Sequence, residues 1–411
     1  MAKQAEQSEN HEIQINAYFD LLEERFLDLN PYCRCRAIQV CVKLCDLEVK
    51  HPQRRLSVAR LAARSLEDKS SNVRRNAIKL LGRLVSTNPF GGVNGGQLSF
   101  KDWENELEKV DADLAALKPP VGSPGLADRQ STVDASVDEG LLDEATEMEI
   151  PSPKRPAQMS EEEKVLALQK ATEEAETSAA IEKLQLAKVY CTDALKFIEI
   201  LHGASSIVCQ LLSSKNKSEV IEAMDFFVII DAYKVEAAKA GIRRMLRLIW
   251  TKGNSDEGKG VQTHLIECYK GLFFDAPGNF DANDAANYIG RNMISLTFGA
   301  TPAELTSLEQ LLSNMMKAGH ISELVVSKLW QVYGIQRIEI SKTHRRAAII
   351  VLGMLALADP DIVVKEMETM LRVGLGPLGR ADLVLAKYTC IALRRINPTG
   401  RKAKGAVLGH L

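Results

Sequence analysis

Residues 68–84, DKSSNVRRNAIKLLGRL, repeat the pattern of residues 28–44, DLNPYCRCRAIQVCVKL, at an offset of 40. Asp68 falls on Asp28, Arg74 on Arg34, Ala77 on Ala37, Ile78 on Ile38 and Leu84 on Leu44, while Val73 falls on Cys33 and Leu80 on Val40. A repeat of this length points to stacked helix pairs. One pair cannot bury its apolar faces alone, so neighbours must stack on it and the chain grows as an α-solenoid.

The second copy shows the physics of one unit. Proline is tolerated at a first helical position, so His51-Pro52 starts a helix with Leu56, Ala59, Ala63 and Leu66 on one face. A polar turn follows at 67–72, where Ser70 or Ser71 is placed to cap the next helix. Val73, Ala77, Leu80, Leu81 and Leu84 form that helix's buried stripe. Residues 13–27 supply the first helix of the first copy, and Trp103, Leu107, Val110 and Leu114 predict a helix within 98–117. A long helix is expected from Ser160, which forms a capping box with Glu163, to about Leu201, with a separate helix over 205–212. Val220 and Met224 recur as Val261 and Leu265, and Arg345, Ala348, Ile349 and Leu352 repeat the spacing of Arg74, Ala77, Ile78 and Leu81.

The Asp, Val-Arg, Ala spacing is similar to the HEAT repeat. The runs NPYCRCRAIQVCVKLCDL and RSLEDKSSNVRRNAIKLLGRL, with GVQTHLIECYKGLFFD and RRAAIIVLGMLALADPDIV after them, resemble the condensin complex subunit 1 family in the same order. The resemblance covers most of the chain outside 91–160, and family members are considerably longer, so it is to an interior portion. The expected fold class is all-α, an α-solenoid of HEAT-like helix pairs interrupted by a disordered acidic insertion. Residues 1–90 read as two repeats, 91–117 as a glycine-rich loop and short helix, 118–158 as the disordered acidic Ser/Pro linker, and 159–411 as the long helix followed by further pairs.

The linker is rich in Pro, Ser, Gly and acids, and buries too little apolar surface to offset the entropy of ordering. Its stretch 130–150 carries seven acids and no base. Ser152-Pro153-Lys154-Arg155 has the pattern cyclin-dependent kinases prefer, which makes Ser152 a candidate phosphosite. Residues 31–84 are the opposite, with 13 Lys and Arg against 4 Asp and Glu, although the formal net charge of the whole chain is only −2. Such asymmetry predicts a basic face and an acidic tether.

Four of the eight cysteines fall at 33, 35, 41 and 45, without zinc-ribbon spacing. Cys33 and Cys41 take the places of Val73 and Leu81 and read as small core side chains. No metal or cofactor is expected. Residues 253–259, GNSDEGK, have the glycine and lysine spacing of a phosphate loop, but Gly260 stands where the magnesium-binding hydroxyl belongs. The run 374–379, GLGPLG, follows a helical pattern and lacks the acid of a dinucleotide site, so it reads as an inter-helix turn. The seven histidines are scattered, with none expected at metal-ligand or triad-like spacing to a cysteine or carboxylate, and the longest apolar run, 347–358, is too short to cross a bilayer.

Basic residues are the remaining pattern. Arg54, Arg55, Arg75, Lys79, Arg345 and Arg346 are candidate contacts to duplex phosphates. Arg34 and Arg74 are open to two readings, phosphate contact or a structural ladder with Asp28 and Asp68. The tail residues Arg394, Arg395, Arg401, Lys402 and Lys404 form a weaker cluster. The resemblance implies a non-catalytic condensin subunit that binds the kleisin, an SMC ATPase head and chromatin or double-stranded DNA, in the nucleus and on mitotic chromosomes and in part of the cell cycle the cytoplasm. Neither a membrane nor a small-molecule substrate is implied. The other binding class is a HEAT adaptor for nuclear transport or phosphatase assembly, which needs no DNA affinity. An ATPase using 253–259 is the enzymatic alternative.

Overall fold

A computed structural model describes residues 2–49, 51–92, 94–117, 161–251, 256–335 and 340–396, and helix is the regular secondary structure among them. The expected insertion at 118–158, Ser152 and the tail beyond 396 lie outside the described residues. The chain divides into two compact units, Met1–Phe100 with Asp193–Leu411, and Lys101–Thr192.

In the first unit, α1 (Ala2–Glu24), a 3-10 turn (Arg25–Leu27), α2 (Pro31–Leu44), α3 (Pro52–Ser65) and α4 (Ser71–Ser86) form the two copies of the repeat. Pro52 opens α3 and Asn30 caps α2 by accepting from the Tyr32 N–H. Ser70 occupies the cap position of α4 without a capping hydrogen bond from its side chain. The Asp68 carboxylate instead accepts the Ser70 N–H at 2.8 Å, because it is fixed two residues upstream by a second interaction described below.

Val73, Ala77, Ile78, Leu80 and Leu81 are fully buried, and burial of each of the four larger side chains is worth about 1.5–3 kcal/mol. Leu80 has no exposure, whereas Val40 at the same repeat position is 44% exposed. The sequence is equivalent and the neighbours are not. Helix α4 is packed by α2 and α3 and by a later helix, while α2 meets α4 and the Arg25–Leu27 turn.

Helix α5 (Phe100–Leu117) and α6 (Glu161–Leu211) come next, the part of α6 up to Thr192 belonging to the second unit with α5. Within that unit Trp103 is fully buried with its ring 5.7 Å from that of Tyr190, and Lys188 pairs with Asp111 at 2.7 Å. The break expected between Leu201 and Ser205 does not occur, since α6 is a single helix of 51 residues. Gly203 costs about 1 kcal/mol of helix propensity, but Leu201, Ala204 and Val208 on either side are buried and hold the turn helical.

Helix α7 (Lys217–Ala232) then packs directly on α4. Its buried Ala223, Met224, Phe226, Phe227 and Ile230 match Ala77, Ile78, Leu80, Leu81 and Leu84 at an offset of 146, so α7 carries a third copy of the stripe. The stack continues through α8 (Ala238–Met245), α9 (Asp256–Tyr269), α10 (Ala282–Ser295), α11 (Pro302–Lys317), α12 (Glu323–Gly334) and α13 (Lys342–Leu355), with buried Val261 and Leu265 placing α9 against α7. The last helices are α14 (Asp361–Lys365), α15 (Met367–Gly374), α16 (Pro377–Ala381) and α17 (Leu383–Leu393), the last packed on α13.

The three glycines of 374–379 serve close packing. A Cβ at Gly374 would stand 2.1 Å from Thr389 Oγ1, at Gly376 2.0 Å from the Arg372 carbonyl, and at Gly379 1.7 Å from the Gly374 carbonyl. The two backbone approaches, at Gly376 and Gly379, form the turn from α15 into α16, and Gly374 makes room for the Thr389 side chain.

Gly241 of α8 has the same role against α7, where a Cβ would lie 2.1 Å from the fully buried Phe227 ring. Gly241→Ala gains about 1 kcal/mol of helix propensity but must displace a packed aromatic ring, an overpacking that costs about 1–3 kcal/mol. Chemical denaturation is expected to show a net loss of stability, and a stabilised variant would show that this contact is looser than described.

Candidate nucleic-acid interface

The arginines at equivalent repeat positions carry the same three-way hydrogen bonding. Arg34 Nη1 donates to the carbonyls of Asp28 (2.7 Å) and Leu29 (3.1 Å), and Arg74 Nη1 to those of Asp68 (2.7 Å) and Lys69 (3.1 Å). Each guanidinium thus satisfies carbonyls in the turn before its own helix. Its other edge reaches the next pair: Arg34 Nε and Nη2 donate to the two oxygens of Asp68 at 2.7 and 2.9 Å. Arg74 Nε and Nη2 donate in the same way to Glu219 at 2.6 and 3.0 Å. Such bidentate charge-assisted bonds fix orientation as well as adding energy.

Sequence reading could not find Glu219, because it stands at the wrong place in the repeat. At the offset of 146 the counterpart of Asp68 is Ser214. Ser214 Oγ accepts the Asn216 N–H, as Asp68 accepts that of Ser70, and donates to Glu219 Oε2. The carboxylate that serine lacks is therefore supplied from the first turn of α7, by a fully buried glutamate.

Of the six candidate phosphate contacts, four are engaged within the protein. Arg54 donates to Asn16 Oδ1 (3.0 Å), Asp20 (2.5 Å) and Glu23 (3.4 Å), and the bond to Asp20 raises its pKa. Arg55 donates to the carbonyls of Leu84 (3.3 Å) and Thr87 (2.9 Å) and to Thr87 Oγ1 (2.6 Å), and burial lowers its pKa. Arg345 is 8% exposed and donates to the Ile335 carbonyl, at the repeat position that the half-buried Arg74 holds in its own copy. Arg346, one residue on, makes the link to the next element, donating to both oxygens of Asp382 at 3.0 and 2.8 Å. Asp382 caps α17 through the Val384 and Leu385 N–H groups, as an acid of this ladder should.

Arg75 and Lys79 remain. Neither makes a hydrogen bond or ion pair among the described residues, and Lys79 is exposed. They stand one turn apart on α4, where residues four apart share a face. On α7 they face the half-buried Glu222, whose carboxyl is pushed up by burial against the pull of Lys79 and Arg75. At the offset of 146 the place of Asn76 is taken by Glu222 and that of Lys79 by Asp225. The basic stripe therefore changes sign from α4 to α7. Next to these acids, hydrogen bonds to Asp225 and Cys268 push His264 up to about 10.

The remaining candidate sites have other fates. Cys41 is buried and its thiol is pushed up to about 12 by that burial, Cys35 and Cys45 are buried and Cys33 is half-buried, so the cluster is core rather than reactive surface. Helix α9 starts at Asp256, so the second half of the phosphate-loop-like run is helical backbone. The part of α6 over Ala175–Leu211 is long and apolar enough to cross a membrane by length and composition, and part of it is buried in the protein.

No family model matches the chain. Condensin complex subunit 1 of Schizosaccharomyces pombe is 44% identical over 408 residues, which is 98% of this chain and 34% of that protein. The protein of the same name from Saccharomyces cerevisiae is 38% identical over 422 residues, 97% of this chain and 35% of the relative. That from Xenopus laevis is 23% identical over 466 residues, 94% and 33% respectively. The chain spans about a third of the length of these relatives. Among solved structures importin beta matches 92% of this chain and 40% of its own, at 12% identity and a TM-score of 0.28, a value too low to carry an argument.

Two predictions follow from the ladder. Arg74→Ala leaves the buried Glu219 carboxylate without its guanidinium and is expected to cost about 3–5 kcal/mol, whereas Arg74→Met with Glu219→Leu should recover most of that loss; equal losses in the two variants would mean the pair matters only as packing. Burial pushes Asp68 up, but the hydrogen bonds from Arg34 and the Ser70 N–H outweigh it and hold the carboxyl below its ordinary value. Its contribution to stability is therefore complete above the unfolded aspartate pKa of about 3.9 and lost as pH falls through the lower folded value. Asp68→Asn should flatten the acid limb of the stability–pH curve in that window, and an unchanged limb would remove Asp68 from it.

Proposed function

Because this chain is related along nearly its whole length to condensin complex subunit 1, we propose that it acts as part of a non-catalytic HEAT-repeat scaffold of condensin, in mitotic chromosome condensation. The observation that carries this reading is the 44% identity over 408 residues. The ladder supports it physically, since each pair is tied to the next by bonds of fixed direction, which suits a chain whose task is to hold surfaces in register. In this reading the kleisin and an SMC ATPase head dock on the helical surfaces, ATP hydrolysis belongs to the SMC partner, and the setting is the nucleus and the mitotic chromosome. Ser152 is then a site where mitotic phosphorylation adds about −1.5 to −2 charges to an acidic segment.

Duplex DNA is held through Arg75 and Lys79, the two of the six candidate cations that make no internal hydrogen bond among the described residues. Arg54, Arg55, Arg345 and Arg346 contribute by keeping the helices in place. Binding of the 411-residue chain to a short duplex across a salt series tests this. Each lost phosphate contact lowers the slope of log K against log salt by about 0.9, so Arg75→Ala/Lys79→Ala should bind more weakly with a slope shallower by up to about 2. Arg346→Gln should leave the slope unchanged. A double variant that binds like the parent overturns the DNA assignment, and failure to co-purify with a kleisin fragment overturns the condensin reading itself.

A further inference from the structure

Asp225, His264 and Cys268 place three metal-ligand types against one another at the contact between α7 and α9, and nothing in the scaffold role calls for them. His264 and Cys268 are four residues apart on α9, so both side chains project from one face. Asp225 meets them from α7, with Oδ1 2.6 Å from His264 Nε2. The three donor atoms lie within 4.8 Å of one another. Cys268 is 8% exposed, and the side chains of His264 and Asp225 are 26% and 43% exposed, so the cluster is closed on the helix side and open to solvent on the other.

We propose that these three residues form a Zn²⁺ site that ties α7 to α9. Zinc takes imidazole nitrogen and carboxylate oxygen at about 2.0–2.2 Å and thiolate at about 2.3 Å in a tetrahedron, which sets the ligand atoms roughly 3.4–3.8 Å apart. Side-chain movements of about 1 Å bring the observed cluster to that geometry. The mixed oxygen, nitrogen and sulfur set suits this borderline-soft ion and disfavours magnesium and calcium, which demand oxygen alone. An aspartate and a thiolate neutralise the ion's two charges. Arg75 and Lys79 act against a cation here, and Glu222 and Glu267, the latter 3.8 Å from His264 Nδ1, act for it. Glu222 lies one turn before Asp225 on the same face of α7 and, with solvent, is the candidate for the fourth position. Metal binding releases two protons to solvent, the one held between Asp225 and His264 and the one on the Cys268 thiol, in exchange for the ion. A single hydrogen bond between two successive helix pairs then becomes three coordinate bonds.

Cobalt is the probe, because its thiolate charge-transfer band reports sulfur ligation and its visible bands report tetrahedral geometry. The chelator-stripped 411-residue chain is expected to bind one equivalent of Co²⁺ with both signatures, and to release it to Zn²⁺. Cys268→Ser should abolish the charge-transfer band, while Cys390→Ser, at an exposed cysteine, should leave it intact. Asp225→Asn and His264→Gln should each weaken binding by at least about tenfold, the loss that even a supporting residue causes. Circular dichroism of each variant confirms that the helices are retained. No thiolate band in the parent chain, or a band that survives Cys268→Ser and so belongs to the cysteines of α2, overturns the proposal.

Discussion

A carboxylate with no exposure to water must be paired, and in this fold its partner comes from the preceding helix pair. Glu219 is fully buried and accepts two hydrogen bonds from the Nε–Nη2 edge of the Arg74 guanidinium. The same arginine satisfies two carbonyls of its own turn, so one side chain fixes the turn, the start of the next helix and the position of the following pair. Arg34 does this one pair earlier and Arg346 with Asp382 makes the equivalent link near the other end. Apolar burial is larger in energy but has no direction. These charged links supply the direction, and so decide which of many possible slidings of one pair over the next is adopted.

The link from Arg74 to Glu219 crosses 145 positions of sequence, and the stripe of α4 packs on that of α7 across the same gap. Loop-closure entropy rises only with the logarithm of loop length. A long intervening stretch therefore costs little compared with the burial of Phe226, Phe227, Met224 and Ile230 against α4. The stack can carry an inserted segment between two adjacent pairs because its stability lies in contacts between neighbours.

The same residue type serves both framework and surface, and burial separates the two. Arg54, Arg55 and Arg345 look alike in sequence to Arg75, yet the first three are spent on Asp20, on the Thr87 carbonyl and on the Ile335 carbonyl. Among the candidates on α3 and α4 this leaves Arg75 and Lys79 on α4, which meet Glu222 and Asp225 on α7. A duplex laid along this face would meet phosphate-binding charge at one helix and acids at the next. This sign change favours a localised contact over a continuous electrostatic track.

The sequence by itself determined the all-helical class, the first two repeats, the apolar stripes of α2, α4, α9 and α13 and the arginines of the ladder, since all of these are written in spacings of three, four and 40 residues. It also carried the third stripe at an offset of 146, which the intervening segment hid from a search at one period. Tertiary structure alone decided that α6 runs unbroken through Gly203, that Val40 is exposed where Leu80 is buried, that Ser214 yields the carboxylate position to Glu219, and that Arg75 and Lys79 are the two of the six candidate cations without a hydrogen-bonded partner among the described residues. The reason is physical. Helical periodicity is a property of neighbours along the chain, whereas burial and ion pairing depend on which distant segments are brought within a few ångströms of each other.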